Sequence, residues 1–451
     1  MRELKEAEMD RAGQAYFDIA VIGGGAAGLA AVLAARSAET AATALRIVLL
    51  EKGARVGRKL LATGNGTCNL TNLKAGIRYY HGTDPEFVRS ALARYTPEAI
   101  LLFFDSLGVP CRALEDGRVY PYGAQASAVL DALRLEAGRR GIETLCGFDV
   151  RSVRKREPLL FEDTPLYEAR PFEILSADGR TIRSRAVVVA TGGPAAPQLG
   201  GDDSGYALMK AFGHDITRPL PAIVQITTVK EPVKSLSGIR VDGVATLRQH
   251  GREIRSEAGE ILFTDYGLSG PPILQLGGYV SRAMAAVDFR SADADLEIAL
   301  DFFPDMERSA MPAWLSRRAE RLDGVSGADF LSGMLNKRIG QLVVRTTLER
   351  RLGDPVGKLS PGEAEALAAG IKDTRIHVTG VQGWREAQVS AGGVLTSGFD
   401  PDTMASRRAA GLFACGEVLD IDGDCGGYNL HWAWCSGLMA GTAAAKAAGG
   451  A

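Results

Sequence analysis

Residues 18–28 constrain the fold of this chain more than any other segment. They contain the apolar run Ile19–Ile22, which is typical of a buried parallel strand. The pattern G-x-G-x-x-G follows, formed by Gly23, Gly25 and Gly28. A compact run of Leu, Ala and Val then begins at Leu29 and favours a helix. A strand, a glycine-rich turn and a helix in this order predict a dinucleotide-binding unit.

Each glycine of the pattern has its own reason in this chemistry. Gly23 allows a sharp turn, Gly25 lets a pyrophosphate approach the backbone, and Gly28 lets the helix pack closely on the strand. The first helical residues, Ala26 and Ala27, present free N–H groups and the positive end of the helix dipole. We therefore expect the phosphates of a dinucleotide at this turn.

An acidic residue stands where such a unit places its ribose ligand. A second apolar run, Ile47–Leu50, ends in Glu51, which lies 23 residues after Gly28. Its carboxylate is expected to accept hydrogen bonds from a ribose 2′-OH, and an acid here disfavours a 2′-phosphate. Lys52 follows directly and is predicted to belong to the same cofactor site.

The composition argues against several classes of function. The formal net charge is −2, which gives no reason to expect a nucleic-acid or membrane partner. The six cysteines form no C-x-x-C pair and the five histidines show no metal-ligand spacing, so no metal site is predicted. No apolar stretch approaches the ~18 residues of a membrane span, and the first residues do not resemble a signal peptide. We expect a cytoplasmic protein with a small-molecule substrate; the oligomeric state is not predicted.

The order of the patterns predicts a discontinuous nucleotide domain in an α/β fold. Residues 1–16 are interpreted as an N-terminal tail. Residues 17–222 and 376–451 carry the nucleotide-binding patterns, and 223–375 are expected to form an inserted β-rich and helical substrate domain.

Later segments favour FAD over NAD as the dinucleotide. The glycine fingerprint occurs once, and a buried strand runs into Ala190–Gly193 far downstream, as in FAD enzymes. Gly416-Glu417 ends another strand, and Gly426-Gly427 opens the final helix, whose N-terminus is suited to a reduced flavin ring. The cofactor residues that these segments predict are Ala190, Thr191, Gly192, Gly416, Glu417, Gly427, Tyr428 and Asn429.

A family resemblance extends from residue 18 to about residue 442. The segments that carry it are 57–59, 63–66, 68–72, 117–121, 267–271, 416–420, 426–430, 433–434 and 436–437. They resemble the bacterial flavoproteins grouped with the bile-acid-inducible flavoprotein, a 3-dehydro-bile-acid Δ4,6-reductase, and with aminoacetone oxidase. The chain departs from the usual pattern at Thr67, where the family has Arg, and at His431, where it has Gln.

The resemblance implies a glutathione-reductase-like FAD-binding Rossmann domain, interrupted by a β-rich and helical domain that closes over the isoalloxazine. It implies that the loop after the second strand wraps the pyrophosphate and runs under the flavin, with Lys59 near N5 or O4. The contacts implied for this loop are Arg58, Lys59, Thr63, Gly64, Asn65 and Asn69. Val150 is expected to give backbone contacts to adenine.

Several residues keep two interpretations. His431 is either a proton donor beside the flavin or a packing residue of the final helix, and Tyr428 either lines the substrate face or packs. Cys68 is favoured as a small core residue over a redox thiol. Arg118 is either a substrate or flavin contact or an exposed turn residue. The catalytic candidates are therefore His431, Tyr428 and Lys59.

The sequence leaves three functions open. The first is reduction of an unsaturated small molecule by hydride transfer through flavin N5, with NAD(P)H as donor. The second is a flavin oxidase of a small amine that uses O₂. The third is a non-catalytic FAD-binding redox or regulatory protein, including a partner in RNA modification. A plain NAD dehydrogenase is disfavoured because it leaves the Gly-Glu and Gly-Gly-Tyr-Asn segments without a role.

Overall fold

The computed structural model describes residues 15–38, 44–156, 171–286, 294–348 and 351–449. The chain divides into two compact units. The first consists of Met1–Leu220 and Val389–Ala451, and the second of Pro221–Gln388. Most of the predicted N-terminal tail, residues 1–14, lies outside the described residues.

The strands are numbered in chain order. They are β1 (Ala15–Ile22), β2 (Ile47–Glu51), β3 (Thr71–Asn72), β4 (Tyr80–His81), β5 (Cys111–Ala113), β6 (Arg118–Pro121), β7 (Glu143–Cys146), β8 (Val150–Lys155), β9 (Phe172–Ser176), β10 (Thr181–Val189), β11 (Leu220–Ala222), β12 (Ile226–Thr228), β13 (Arg240–Gln249), β14 (Arg252–Phe263), β15 (Gly267–Ser269), β16 (Leu296–Asp301), β17 (Thr374–Val381), β18 (Val389–Ala391), β19 (Leu412–Ala414) and β20 (Asp422–Gly423).

The α-helices are numbered in the same way. They are α1 (Ala26–Ser37), α2 (Arg58–Ala62), α3 (Arg89–Arg94), α4 (Pro97–Ser106), α5 (Ala126–Arg139), α6 (Ser204–Lys210), α7 (Pro271–Ala286), α8 (Met311–Arg321), α9 (Lys337–Thr347), α10 (Pro361–Lys372) and α11 (Tyr428–Gly449).

The main sheet of the first unit has the order β7-β2-β1-β10-β9-β8, and β19 also pairs with β10. Strands β7, β2, β1, β10 and β19 are parallel, whereas β9 pairs antiparallel with β10 and β8 pairs antiparallel with β9. The central parallel strands are buried because they are almost continuous apolar runs. Their carboxyl ends lie along one edge, and this edge receives the predicted nucleotide residues.

Helices α1 and α11 pack on each other at unusually short range, which small residues allow. A Cβ on Gly441 would lie 2.0 Å from the Ala31 carbonyl oxygen, and one on Gly437 would lie 2.4 Å from that of Ala27. The C-terminal helix therefore presents a glycine face, and α1 packs directly against it. The sequence predicted a long Ala-rich helix at 429–447, and α11 agrees with it closely.

The second unit contains a closed barrel in the order β12-β15-β14-β13-β16-β17. Its apolar core includes side chains from α7 to α10. Helix α10 begins at the predicted Ser360-Pro361 signal, where Ser360 and Glu363 form a capping box. The predicted fold class is confirmed: a discontinuous Rossmann unit with an inserted β-rich and helical unit.

Two sequence predictions need correction. The predicted domain boundary at residue 376 cuts through β17, which pairs with β16 and β12 and so belongs to the barrel. The first unit resumes at Val389 instead. Residues 53–76 were expected to be a loop without regular structure. They contain helix α2, because Leu60 is buried and gives this short segment an anchor.

None of the helices in the described parts of the chain combines the length and the apolar character needed to cross a bilayer.

Candidate functional site

The turn after β1 has the geometry that the glycine pattern requires. Gly23 has a φ of +106°, in the left-handed region. A Cβ on Gly28 would lie only 1.9 Å from the Gly23 carbonyl oxygen, so this position excludes side chains. Around Gly25, by contrast, no atom lies within 4 Å of a built Cβ. The fold itself therefore requires glycine at positions 23 and 28. At Gly25, by contrast, the protein leaves space for a side chain or for a bound group.

That open space lies at the N-terminus of α1. Gly25 is the N-cap residue, no side chain caps the helix, and its first turn contains no acidic residue. Ala26 is partly exposed, while Ala27 is largely buried. Free backbone N–H groups and the positive dipole end make such a terminus an anion site. The arrangement fits a pyrophosphate group.

Glu51 is fixed at the end of β2 by two backbone amides. The Gly24 amide donates to Oε2 at 2.9 Å and the Gly53 amide donates to Oε1 at 2.7 Å. The carboxylate is only partly buried, so further lone pairs remain available to hydroxyl donors. This donor set suits a ribose diol beside the pyrophosphate position.

Lys52 and Arg58 are engaged with a later loop of the same unit. Lys52 forms an ion pair with Asp202, and the Arg58 guanidinium donates to the Gln198 carbonyl at 2.8 Å. Ion pairing with Lys52 and hydrogen bonds from Ser204 hold the pKa of the Asp202 carboxyl below its usual value, against the opposing effect of its burial. The predicted cofactor contacts of Lys52 and Arg58 stay predictions.

Lys59 is paired with a second predicted residue rather than isolated. Its Nζ lies 2.7 Å from Glu417 Oε2 and 3.0 Å from Oε1. The Ser390 amide donates to Oε1 at 2.8 Å, and the Ser390 hydroxyl accepts from the Ala195 amide at 3.1 Å. Sequence reasoning identified Lys59 and Glu417 separately but missed Ser390, because a serine outside any motif gives no signal.

The segment after α2 carries tight backbone geometry and one polar atom without a partner. Gly64 and Asn65 have left-handed φ angles of 55° and 53°, and the Thr63 hydroxyl donates to the Leu60 carbonyl. Asn69 Oδ1 is buried and has no hydrogen-bond partner in the described part of the chain. Buried acceptors of this kind are rare, so a donor from a bound group fits this position.

Cys68 lies next to this segment and is completely buried. Burial raises the pKa of its thiol to about 12, so it is protonated at neutral pH. The structure therefore agrees with the interpretation of Cys68 as a small core residue.

The carboxyl ends of strands β10 and β19 bring two more predicted segments to the same edge of the main sheet. A Cβ on Gly23 would lie 2.4 Å from the Ala190 carbonyl oxygen, which shows how closely these turns approach. Gly192 has a φ of +74° and no atom within 4 Å of a built Cβ, and Thr191 is partly exposed. Gly416, with a φ of +76°, packs against the first turn of α1. These residues, the α1 N-terminus and Glu51 form one contiguous cradle.

The start of α11 is held by a set of internal contacts. A Cβ on Gly427 would lie 2.6 Å from the Thr71 carbonyl oxygen, so this position also excludes side chains. The Asn429 amide group donates to the Gly423 carbonyl at 2.7 Å and accepts from the Gly423 amide at 2.8 Å. The Asn429 side chain thus shapes the preceding turn, and only its backbone remains a candidate for a cofactor contact.

Tyr428 is 5 % exposed and belongs to an aromatic cluster. Its ring stacks on Tyr79 with centroids 4.4 Å apart, and Tyr80 meets it edge-on. Burial, and then the neighbouring Tyr79, raise the pKa of the Tyr428 hydroxyl above its ordinary value. The hydroxyl therefore keeps its proton at physiological pH, and it is the burial and stacking of the ring that favour packing.

The structure places the His431 side chain in the core and does not support a catalytic role, which stays a prediction. Its ring has no accessible surface, and its Nδ1 and Nε2 lie 2.7 Å from Thr71 Oγ1 and 3.4 Å from Cys435 Sγ. Burial lowers the pKa of His431 to about 4, so the ring is neutral. A bound molecule touches surface atoms, and this imidazole offers none. Residues 431–441 of α11 are all buried, so the period of the sequence gives no signal for where His431 points.

Val150 is the first residue of β8 and is 7 % exposed. Its side chain belongs to the core of the first unit. The predicted backbone contact with adenine therefore stays a prediction.

Comparison with known proteins identifies relatives over almost the full chain. The protein is 35 % identical over 430 residues to the 3-dehydro-bile acid Δ(4,6)-reductase of Clostridium scindens, covering 95 % of this chain and 99 % of that protein. It is 30 % identical over 424 residues to the ribosomal RNA dihydrouridine synthase of Escherichia coli, covering 93 % and 96 %. A solved structure of 3-ketosteroid-Δ4-(5α)-dehydrogenase from Rhodococcus jostii aligns over 98 % of each chain with 16 % identity and a TM-score of 0.47.

Residues 17–443 match the family described as HI0933-like protein Rossmann domain. This match covers nearly every segment that carried the predicted resemblance. The predicted family and enzyme class are thereby confirmed: the chain is an oxidoreductase that belongs to the HI0933-like Rossmann-domain family.

Proposed function

We propose that this protein is an FAD-dependent reductase that uses NAD(P)H to saturate a carbon–carbon double bond conjugated with a carbonyl group in a small molecule. The observation that carries the proposal is the cradle at the sheet edge, with its uncapped α1 N-terminus and fixed Glu51. Bound FAD would supply the site that accepts a hydride from the nicotinamide and delivers it to the substrate.

The chain's own residues have defined parts in this proposal. The α1 N-terminus would hold the pyrophosphate, Glu51 the ribose, and the Lys59–Glu417 pair the region between the pyrophosphate and the flavin ring. Asn69 Oδ1 would accept a hydrogen bond from the bound cofactor. Because the His431 and Tyr428 side chains are buried in the first unit, neither is assigned as the proton donor.

The names of the two relatives support the choice of reaction. A Δ(4,6)-reductase of a 3-dehydro bile acid and a dihydrouridine synthase each saturate a double bond conjugated with a carbonyl, in a steroid and in a uracil ring respectively. The balanced reaction consumes NAD(P)H, one proton and the conjugated alkene, and yields NAD(P)⁺ and the saturated carbonyl compound. We assign a small-molecule substrate because the chain carries a formal net charge of −2.

The test is an anaerobic titration of the purified, FAD-containing protein. NADH or NADPH is expected to bleach the flavin absorbance, and a 3-oxo-4,6-diene steroid acid is then expected to restore it with a stoichiometric saturated product. A flavin that NAD(P)H leaves oxidised, but that a small amine bleaches and air restores, would establish the oxidase instead. A flavin that responds to neither would identify a non-catalytic flavoprotein.

A second candidate is the same chemistry on a uridine of ribosomal RNA. The Escherichia coli relative, which matches 93 % of this chain, is the observation that favours it. Ribosomal RNA incubated with enzyme and NAD(P)H would then gain dihydrouridine, measured by mass spectrometry of its nucleosides. If RNA stays unchanged while the steroid acid is reduced, this candidate is excluded.

A further inference from the structure

The turn at Cys425–Gly427, which begins α11, is bordered by cationic side chains. Cys425 is exposed and the two glycines are partly exposed. The Asn72 side chain donates to the Gly426 carbonyl at 3.0 Å, and Tyr428 packs against Gly426 from the other side. The turn is therefore a fixed surface feature with two flanks.

Arg118 and Lys74 form the first flank. Arg118 lies at the start of β6, is 44 % exposed in its side chain, and is the strand partner of Asn72, whose side chain holds the turn. Its Nε donates to Asp116 at 2.6 Å, which holds the guanidinium in place. The Lys74 side chain lies against Gly117 in the same hairpin, where a built Cβ would be 3.2 Å from Lys74 Cγ.

Arg78 forms the second flank through a stacked arrangement. Its guanidinium lies 4.7 Å from the centroid of the Tyr79 ring and donates to the Tyr79 hydroxyl at 2.8 Å. The Tyr79 ring stacks in turn on Tyr428, the residue directly after the turn. A cation over an aromatic face gains about 0.5–1 kcal/mol at an exposed site, so Tyr79 positions Arg78.

The acidic groups near the turn offset only part of this positive charge. Asp116 pairs with Arg118 and is also close enough to Lys74 for Lys74 to help lower the pKa of its carboxyl. Asp424 is buried and lies 2.6 Å from His81 Nε2, and Asp420 accepts hydrogen bonds from Thr83. Lys74 and Arg78 have no ion pair with any carboxylate in the described residues. We call Lys74, Arg78 and Arg118 the cationic rim; it keeps an excess of positive charge at the surface.

We propose that the cationic rim binds the anionic group of the substrate, a carboxylate or a phosphate carried by the conjugated carbonyl compound. This inference rests on the proposed function and on the expectation from the sequence that the α11 N-terminus faces the flavin ring. Guanidinium groups bind both oxyanions in a planar, two-pronged geometry, and a lysine adds a point charge. The rim therefore selects charged over uncharged members of the same substrate class.

The test measures binding of matched ligand pairs to the FAD-containing protein by isothermal titration calorimetry. The pairs are cholate with its methyl ester, and uridine 5′-monophosphate with uridine. We expect the anion of at least one pair to bind about tenfold more tightly, or about 1.4 kcal/mol. The double variant Arg78→Gln/Arg118→Gln should reduce the ratio to about one, whereas Arg139→Gln should leave it unchanged. Arg139 is a matched control because it is 71 % exposed at the end of α5 and paired with Glu136.

Each outcome decides a different point. A preference for cholate alone points to a carboxylate substrate, and a preference for the nucleotide alone points to a phosphate. Equal binding within both pairs, or a preference that survives the double variant in protein with normal FAD content and thermal stability, overturns the inference. The proposed function is scored separately by flavin bleaching with NAD(P)H and reoxidation by an uncharged enone. That assay can fail while the anion preference remains, and the reverse can also occur.

Discussion

The two helix starts in the first unit were predicted with the same argument, yet they differ in the structure. At the start of α1 the only side chains are those of alanines, no cap is present, and the position beside Gly25 is open. At the start of α11 the Asn429, Tyr428 and His431 side chains are each committed to internal contacts. The first start offers backbone groups to a ligand, whereas the second is largely shaped by the protein around it.

This difference shows which features of a site a sequence motif can predict. Glycine patterns report backbone geometry, and that geometry is local, so Gly23 and Gly28 behave as the pattern requires. A polar side chain near a motif reports nothing about where it points. His431 is a polar residue in a conspicuous segment, but the face of α11 on which it lies turns it into the core.

We expect the largest loss of stability from a substitution at Gly28, where the fold itself requires glycine. In Gly28→Ala the new Cβ would lie 1.9 Å from the Gly23 carbonyl oxygen, so the backbone must shift. We expect a loss of about 3 kcal/mol or more in the free energy of unfolding, together with loss of FAD. Urea unfolding measures the first and flavin absorbance the second. Gly138→Ala is the control, since no atom lies within 4 Å of its Cβ; similar losses in both variants would contradict the packing argument.

Gly25→Val separates cofactor binding from folding. Because nothing lies within 4 Å of a Cβ at this position, the free energy of unfolding of the apoprotein should change by no more than about 0.5 kcal/mol. The branched side chain would fill the space in front of the α1 N-terminus, so FAD should be lost. The bound FAD per purified chain is the measurement, with Gly25→Ala as a graded control. A variant that purifies with full FAD content would show that the phosphates do not bind at this turn.

Glu51→Ala tests the carboxylate behind the same turn. It removes the acceptor of the Gly24 and Gly53 amides and the proposed ribose ligand. Hydrogen bonds to charged groups contribute about 1.5–3 kcal/mol each, so FAD affinity should fall by at least about tenfold. Titration of the apoprotein with FAD, followed by fluorescence, gives the dissociation constant. The isosteric Glu51→Gln should lose less FAD affinity. Unchanged affinity in both variants would show that Glu51 stabilises the turn and does not bind the ribose.

His431→Gln sharpens the contrast at the other helix. The folded-state pKa of His431, about 4, lies below its ordinary value of 6.5, so the unfolded chain binds more protons between these pH values. The contribution to stability is therefore complete above about pH 6.5 and is lost as the pH falls towards 4. Between pH 8 and pH 5 the natural chain should lose about 2 kcal/mol more free energy of unfolding than the variant loses.

Urea unfolding at the two pH values measures this difference. The buried His214 also has a lowered pKa, but it titrates in both proteins and cancels in the comparison. Catalytic turnover of His431→Gln should equal that of the natural chain at neutral pH, after correction for FAD content. A tenfold loss of turnover with normal FAD content would return His431 to the catalytic candidates.

The sequence predicted the parts of the fold that depend on short-range patterns. The Ile19–Ile22 run, the glycine turn and the helix opened by Ser360-Pro361 specify their own local structure, and each is found where expected. The boundary at which the first unit resumes could not be predicted in this way, because β17 and β18 are both strand-like runs in one segment. Only the pairing of β17 with β12 and β16, which are distant from it in sequence, assigns it to the barrel, and the first unit resumes at β18.

The candidate site follows the same division. Glu51 and the glycines were predictable because a known spacing fixes them relative to a strand end. The pairing of Lys59 with Glu417 joins residues 358 positions apart, and the role of Ser390 depends on where a loop is carried by tertiary contacts. No single-sequence pattern contains that information.

The pairing of β19 with β10, and the packing of α11 on α1, have a consequence for how the chain is made. A ribosome delivers all of residues 221–388 before β19 and α11 emerge, so every strand of the barrel has been made while the nucleotide unit still lacks a parallel strand and the helix that packs on α1. Domains fold as units during synthesis, and the first unit must wait for its last segment. Capture of the cofactor is thus a late event in biogenesis, and a chain truncated before β19 would release a folded barrel attached to an incomplete nucleotide unit.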